Sequence, residues 1–308
     1  MNKKTTDCLF FTQHGWADDG TDLKKLAQQL LPRGSQIISP SLGYWQTWLR
    51  MEPLIERLSG VVEAVITNSP QASLKIIAHS MGGLLWLELL NRNPKWLQKT
   101  ESLVLIASPV GGSDLARIID PFDIGLGIAR DLAVNRRRLA ETIATQIPIL
   151  VIAGDLSQGS DGTIPVESTK IDQAQFICLP GLAHATLKTH LGLVPIIHRF
   201  WDDPRILPIS NADFARQIIH SLRLTPGMID TDYRGFRRSQ VILALRQGNT
   251  IRTWKNFAQI EHIFLADASD QCLYAGFISW RHQQPLRTTL KQIQQDYCPQ
   301  LSTESSLT

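Results

Sequence analysis

Ser80 is the residue whose surroundings most clearly suggest covalent chemistry. It follows the apolar run Ser73–His79 and precedes an apolar helical pattern that begins at Met81. Strand, sharp turn and helix in direct succession would expose the serine hydroxyl at the end of the strand, beside the amino terminus of the helix. The residues two before and two after it, Ala78 and Gly82, are small, as a crowded turn requires. The pattern predicts a nucleophile, although a Ser-Gly turn that merely ends a strand would look similar.

A nucleophilic serine needs hydrogen-bond donors for the oxyanion that forms during acyl transfer. His14, Gly15 and Trp16 follow the first strongly apolar run, and a turn at a strand end can aim a backbone N–H into the cleft. Glycine at position 15 lets the chain pass close to a substrate. We expect the backbone amides of Trp16 and Met81 to be the donors. A simple strand-to-helix turn is the alternative interpretation.

Two aspartates compete for the role of the carboxylate that orients a catalytic base. Asp155 directly follows the strand-like run 147–154, whereas Asp161 lies at the tip of a loop rich in glycine and serine. We favour Asp161 because the residues that follow it, Gly162 to Pro165, turn the chain back toward the body. We expect the other aspartate to stabilise the loop by accepting hydrogen bonds from backbone amides, as aspartate commonly does in turns.

The base is expected to be His184, which follows the run Gln175–Leu179 and a Pro-Gly turn and precedes a helix. His190 is the second candidate, but it lies one to two turns into that helix, where a surface or capping role is more typical. His79 is adjacent to Ser80, and the sharp turn is expected to point its side chain elsewhere. A serine, an aspartate and a histidine thus each follow a predicted strand, in that order along the chain. Chance agreement at all of these places is much less probable than at one.

The first 200 residues alternate short apolar runs with helical patterns. Several of the runs are continuously apolar, which is typical of strands covered on both faces. The predicted strands are Cys8–Gln13, Gln36–Ser39, Ser73–His79, Leu103–Ala107, Pro148–Ala153 and Gln175–Leu179. The predicted helices include Thr21–Leu31, Gln46–Asn68, Met81–Asn91 and Leu187–Trp201. This alternation predicts an α/β fold with a mostly parallel sheet flanked by helices, in which ligands bind at the carboxyl ends of the strands.

The alternation ends near residue 202, which predicts two domains. Residues 1–202 would form the catalytic domain, and residues 203–308 would form a small α+β appendage with an antiparallel sheet. Residues 110–146 are long for one connection between strands. They could form a partial lid over the strand ends or an ordinary helix with a decorated entrance.

Composition narrows the class of protein. The chain has 308 residues, of which 43% are hydrophobic and 19% charged, as in ordinary globular proteins. No window approaches about 18 uninterrupted apolar residues, so no membrane span is expected. The apolar run near the start is too short for a signal peptide, which favours a cytoplasmic location. The net charge of +3 is too small to indicate nucleic-acid binding, and the four cysteines lack metal-ligand spacing.

Residues 8–202 resemble the α/β-hydrolase fold, and are most similar to its lipase/esterase-like branch. The segment from Ser160 to Val166 resembles the acid loop of those lipases, which supports Asp161 over Asp155. The segment from Ser108 to Ala116 resembles the stretch after their sixth strand, without the histidine that is common there. The resemblance does not extend to residues 203–308.

This resemblance implies a serine hydrolase that cleaves a carboxylic ester through an acyl-enzyme, without metal or organic cofactor. The expected partner is a small-molecule or lipid acyl ester. The sequence does not decide whether the protein also makes peripheral contact with a membrane. Trp16, Leu42, Tyr44, Trp45 and Trp48 could line an apolar acyl pocket or pack in the core. An acyltransferase or thioesterase could use the same three residues. A scaffold without activity, whose C-terminal part binds a partner, is the third interpretation.

Overall fold

Buried apolar runs form a six-stranded sheet in this protein. The computed structural model describes residues 8–32, 35–112, 127–208 and 213–298. The strands are β1 (Cys8–Gln13), β2 (Ile37–Ile38), β3 (Ser73–His79), β4 (Thr100–Ile106), β5 (Ile149–Asp155) and β6 (Gln175–Pro180). Their order in the sheet is β2-β1-β3-β4-β5-β6, and every neighbouring pair is parallel. The carboxyl ends of the strands therefore lie at one edge, where the candidate residues follow them.

Helices cover both faces of this sheet, as continuously apolar strands require. They are α1 (Thr21–Leu30), α2 (Met51–Asn68), α3 (Met81–Arg92), α4 (Pro94–Lys99), α5 (Ile128–Leu132), α6 (Arg137–Ala144), α7 (Val166–Thr169), α8 (His184–Leu187) and α9 (Leu193–Asp202). Apolar residues of α2, α3 and α6 share one core cluster with the sheet, and those of α1 and α9 share a second cluster. Helix α3 is buried almost all round, which holds the turn before it firmly in the core. The predicted α/β architecture is confirmed.

Two of the predicted helices are wrong in their extent. The predicted helix Gln46–Asn68 is a short 3-10 helix at Gln46–Trp48 followed by α2, because Arg50 between them is extended. Asp131 holds this break, since its carboxylate accepts hydrogen bonds from the Met51 amide and the Arg50 guanidinium. The predicted helix Leu187–Trp201 is α8 and α9, separated by residues 188–192.

The chain divides into two compact units, Met1–Ile209 and Ser210–Thr308, whereas the sequence places the boundary at residue 202. Residues 113–126, which belong to the predicted lid, lie outside the described residues. The described remainder of that region contains α5 and α6. Within the described ranges, no helix is long and apolar enough to cross a membrane.

The described residues of the second unit form a five-stranded antiparallel sheet and two α-helices, which agrees with the predicted α+β appendage. Its strands are β7 (Met228–Asp230), β8 (Gln240–Ala244), β9 (Thr250–Lys255), β10 (Glu261–Ala266) and β11 (Cys272–Ile278), in the order β7-β11-β10-β9-β8. Helices α10 (Phe214–Arg223) and α11 (Gln283–Tyr297) contribute apolar side chains to the core cluster of this sheet. The short strand β7 is an element that the sequence pattern did not predict.

Substitution of two glycines, one crowded and one with open space around it, tests how tightly the chain is packed where β3 meets α3. A methyl group at Gly82 would lie 2.4 Å from the carbonyl oxygen of Gln13 and 2.6 Å from that of His14. Because both obstacles are backbone atoms, we expect Gly82→Ala to lower the free energy of unfolding by about 1–3 kcal/mol. Gly60 lies within α2 with open space around it, so Gly60→Ala should raise the same quantity by about 0.5–1 kcal/mol. Chemical denaturation followed by circular dichroism measures both, and equal stabilities would contradict the packing described.

Candidate functional site

Ser80 occupies a strained turn between β3 and α3. Its backbone has φ 55° and ψ −128°, a combination that costs a residue with a side chain of order 1–3 kcal/mol. Two backbone hydrogen bonds hold the turn, since the Ser80 amide donates to Ile106 at 2.8 Å and the Gly83 amide donates to Ser80 at 3.0 Å. The strain is maintained at the end of the central strands, where the sequence predicts a nucleophile.

The turn after β1 lies directly against Ser80. A methyl group at Gly15 would lie 2.8 Å from Ser80 Cβ and 3.3 Å from Ser80 Oγ, so glycine is required there by space alone. Gly83, in the first turn of α3, is equally crowded by Ser108, which follows β4. Glycine at these positions lets the chain segments that follow β1 and β4 pack closely against the turn between β3 and α3.

The candidate acid and base form a direct pair. His184 Nδ1 lies 2.7 Å from Asp161 Oδ2, and the His184 amide also donates to the Asp161 carbonyl at 3.0 Å. A carboxylate can only accept, so Nδ1 carries the hydrogen and Nε2 of a neutral ring keeps its lone pair. The other carboxylate oxygen accepts from the amides of Thr163 and Ile164. The Asp161 side chain is almost fully buried, and that of His184 is 16% exposed.

The Asp155 carboxylate has different hydrogen-bond partners from that of Asp161. Its Oδ1 accepts a hydrogen bond from the Gly159 amide at 3.0 Å, within the same loop. This is the loop-stabilising contact expected of the aspartate that does not orient the base. Gly154 beside it lets the loop close, since a methyl group there would lie 2.5 Å from the Leu182 carbonyl and 3.2 Å from Asp161 Cβ. Of the two aspartates, Asp161 is the one that the structure brings to His184.

His79 contacts the candidate base, contrary to the expectation that its side chain points elsewhere. The two rings have centroids 4.7 Å apart, and His79 Nε2 donates to the carbonyl oxygen of His184 at 3.2 Å. Burial, and next the charge that His184 can carry, hold the pKa of His79 well below its usual range. A neutral imidazole therefore packs against His184 from the strand that carries Ser80. His190, the second candidate base, has a buried Nδ1 without a hydrogen-bond partner among the described residues.

His14 organises the turn that carries the candidate oxyanion donor. Its Nε2 accepts from the Leu42 amide at 3.1 Å, so Nδ1 carries the hydrogen and donates to the Gly15 carbonyl at 2.9 Å. Burial lowers the pKa of His14, which keeps this neutral tautomer in place. Thr47 adds a second link, because its hydroxyl accepts from the Ala17 amide. The sequence indicates His14 only as part of the turn, since its distant partner, Leu42, lies 28 residues along the chain.

The two expected donor amides are free to bind a ligand atom. Among the residues that the structure describes, the N–H groups of Trp16 and Met81 have no hydrogen-bond acceptor. Met81 is the first residue of α3, where backbone amides lack a partner within the helix. Within the same described residues, no hydrogen bond joins Ser80 Oγ to His184. Such bonds are often long before a substrate is bound.

Four aromatic side chains lie next to the turn after β1, and three of them are exposed, whereas Trp16 is partly buried against the core. We call Trp16, Tyr44, Trp45 and Trp48 the aromatic rim. Trp16 and Trp48 pack edge to face with centroids 4.3 Å apart, and Trp45 is 77% exposed. For Leu42 the sequence allowed either a pocket or a core position, and its side chain is fully buried in the core. In the described part of the chain, no cluster of three or more His, Cys, Asp or Glu side chains could hold a metal ion.

Comparison with solved structures shows which known proteins share the fold of this chain. No family model matches the sequence, and the search of curated proteins found no match. The mature lipase BlEst2 of Bacillus licheniformis has a TM-score of 0.52 and 13% identity, over 67% of this chain and 95% of its own. The phospholipase PlaB of Legionella pneumophila has a TM-score of 0.51 and 16% identity, over 64% of this chain and 59% of its own. Likeness at such low identity shows a shared fold.

The two buried histidines predict how stability changes with pH. The pKa values of His14 and His79 are lowered by folding, so below about pH 6.5 the unfolded chain binds protons that the folded chain does not. The free energy of unfolding should therefore fall from pH 7 to pH 5. His79→Asn keeps an N–H donor for His184 but cannot titrate. It should reduce this slope by up to about 1.4 kcal/mol per pH unit, the limit for one proton.

Urea denaturation at pH 7, 6 and 5 measures this slope. The control is His198→Asn, which makes the same substitution at an exposed histidine of α9. A His79→Asn protein that is as sensitive to pH as the unaltered chain would contradict the account of a neutral, buried His79.

Proposed function

We propose that the first unit, which has the α/β-hydrolase fold of these lipase and phospholipase structures, is a serine hydrolase that cleaves carboxylic esters through an acyl-enzyme. The observation that carries this proposal is the His184–Asp161 pair at 2.7 Å, at the same edge of the sheet as the strained turn of Ser80. A buried carboxylate that orients a histidine beside an activated serine is the arrangement that acyl transfer uses.

The first half of the reaction transfers the acyl group to Ser80. His184 Nε2 takes the hydroxyl proton while Ser80 Oγ forms a bond to the ester carbonyl carbon. The carbonyl oxygen becomes an oxyanion, which the amides of Trp16 and Met81 would bind. Collapse of this intermediate breaks the bond to the alcohol oxygen, and the alcohol leaves with the proton from His184. Asp161 holds the ring in the required tautomer and stabilises the charged imidazolium.

The second half returns the enzyme to its starting state. His184 Nε2 removes a proton from water, whose oxygen attacks the acyl carbonyl carbon. The second tetrahedral intermediate then breaks its bond to Ser80 Oγ, which recovers a proton from His184 and releases the carboxylic acid. Every proton in this sequence passes through His184, so the reaction needs neither a metal nor an organic cofactor.

Matched aspartate variants test the assignment of the catalytic groups. Ser80→Ala should abolish turnover of a 4-nitrophenyl ester. Asp161→Asn should lower kcat by about 10⁴, because the ring can then hold the wrong tautomer. Asp155→Asn should stay within about tenfold of the unaltered protein, since Asp155 bonds its own loop and not His184. Turnover that survives in Ser80→Ala, or an Asp155→Asn loss as large as that of Asp161→Asn, would refute these roles.

The aromatic rim supports an ester with a long apolar acyl group as substrate. Tyr44, Trp45, Trp48 and Leu49 are exposed, and Trp48 packs on Trp16, whose amide we assign to the oxyanion. An exposed apolar patch of this kind on a monomeric protein commonly marks a binding surface. Tryptophan and tyrosine also suit a surface that is apolar on one side and wet on the other.

A series of acyl chain lengths tests this substrate class. Trp45→Ala should raise KM for an octanoate or decanoate ester by about tenfold. This factor corresponds to about 1.4 kcal/mol, close to the lower end of the free energy gained when a large apolar side chain is buried. KM for the acetate ester should change little, because an acetyl group has almost no apolar surface to bury against Trp45. The matched control is Phe257→Ala, which removes a fully exposed aromatic ring from the second unit. Equal effects of Trp45→Ala on acetate and decanoate would contradict the proposed substrate class.

A further inference from the structure

Lys188 forms an ion pair with Asp18 at the edge of the candidate site. Lys188 Nζ lies 2.8 Å from Asp18 Oδ2 and 3.7 Å from Asp22 Oδ2. The side chains of Lys188 and Asp18 are only 17% and 10% exposed, so this contact is better shielded than the usual surface pair. Pairs at the surface contribute little because water and salt screen them, whereas burial strengthens the attraction and makes a lost partner costly.

Each member of the pair is fixed within its own segment. Asp18 follows Trp16 in the turn after β1, and its Oδ1 accepts hydrogen bonds from the amides of Asp19 and Gly20. Lys188 directly follows α8, the short helix that begins at His184. The pair thus joins two segments that lie 170 residues apart in the chain. One of them carries the proposed oxyanion donor and the other carries the proposed base.

The charge state of Asp18 depends on this contact. Burial alone would favour the neutral acid, but the Lys188 ammonium and the two amides outweigh it and lower the pKa of Asp18 below its usual value. In the described part of the chain, the ion pairs of Lys188 with Asp18 and Asp22 are the only hydrogen bonds or ion pairs between residues 14–22 and residues 182–190. These contacts therefore have no evident substitute.

We propose that Lys188 and Asp18 are positioning residues, which hold the Trp16 amide at the correct distance from His184 while the oxyanion forms. The inference deepens the proposed serine hydrolase and rests on it. Neither side chain is assigned a contact with the reacting atoms. Their effect is on the geometry of the transition state, where a displacement of about 1 Å can cost on the order of a hundredfold in rate.

Three substitutions and one matched control test the pair. Lys188→Met and Asp18→Asn should each lower kcat for an ester by about 10- to 100-fold while KM stays within about twofold. The rate constant for fluorophosphonate labelling should fall by a similar factor. Lys188→Arg keeps the charge and should restore most of both. Arg92→Met is the control, because Arg92 pairs with Glu52 between α3 and α2 and neither residue belongs to the two segments, so it should leave kcat unchanged.

The double variant Asp18→Asn/Lys188→Met separates a shared role from two independent ones. If the two residues act as a pair, the double variant loses no more activity than either single variant. Losses that multiply would overturn the inference. So would an unchanged kcat in Lys188→Met, or a loss that appears only as a lower melting temperature and is not rescued by Lys188→Arg. Absence of labelling in the unaltered protein would instead refute the proposed hydrolase itself, so the two failures are distinguishable.

Discussion

Crowding around the Ser80 turn is the constraint on which the rest of the first unit depends. The backbone at Ser80 is strained, and the end of β1 and the start of α3 approach so closely that Gly15 and Gly82 have no room for a methyl group. Strain of this size persists only where the surrounding structure enforces it. Here the buried helix α3 enforces it, together with the hydrogen bond from the Ser80 amide to the Ile106 carbonyl. As a result, the Ser80 turn lies where the ends of β1, β3 and β4 come together.

Histidines perform distinct tasks around that serine because their burial differs. His14 and His79 are buried and kept neutral, and each donates a hydrogen bond to a backbone carbonyl, of Gly15 and of His184 respectively. His184 keeps a partly exposed ring and holds a carboxylate at Nδ1. One type of side chain thus supports the turn after β1, packs against His184, and supplies the proposed base. The division follows from solvent access and from the partner that each ring nitrogen finds.

The sequence predicted well those elements whose signals are local. The bounds of β1 and β3 agree with prediction because largely buried, mostly apolar runs end at clear turns. The order of Ser80, Asp161 and His184 was readable because parallel strands bring their carboxyl ends together. Long-range contacts were not readable. Asp131 breaks the helix expected at Gln46–Asn68 from about 80 residues away, and the His79–His184 contact spans 105 residues. No local pattern in the chain indicates such partners.

The most direct test of the account is the site of fluorophosphonate attachment. The tryptic peptide from Ile76 to Arg92 contains Ser80 and no other serine, threonine or tyrosine, so its mass identifies the modified residue without ambiguity. We expect one adduct per chain, located on this peptide, which disappears in Ser80→Ala. A chain that remains unlabelled, or one whose adduct lies on another peptide and persists in Ser80→Ala, would contradict the claim that Ser80 is the nucleophile.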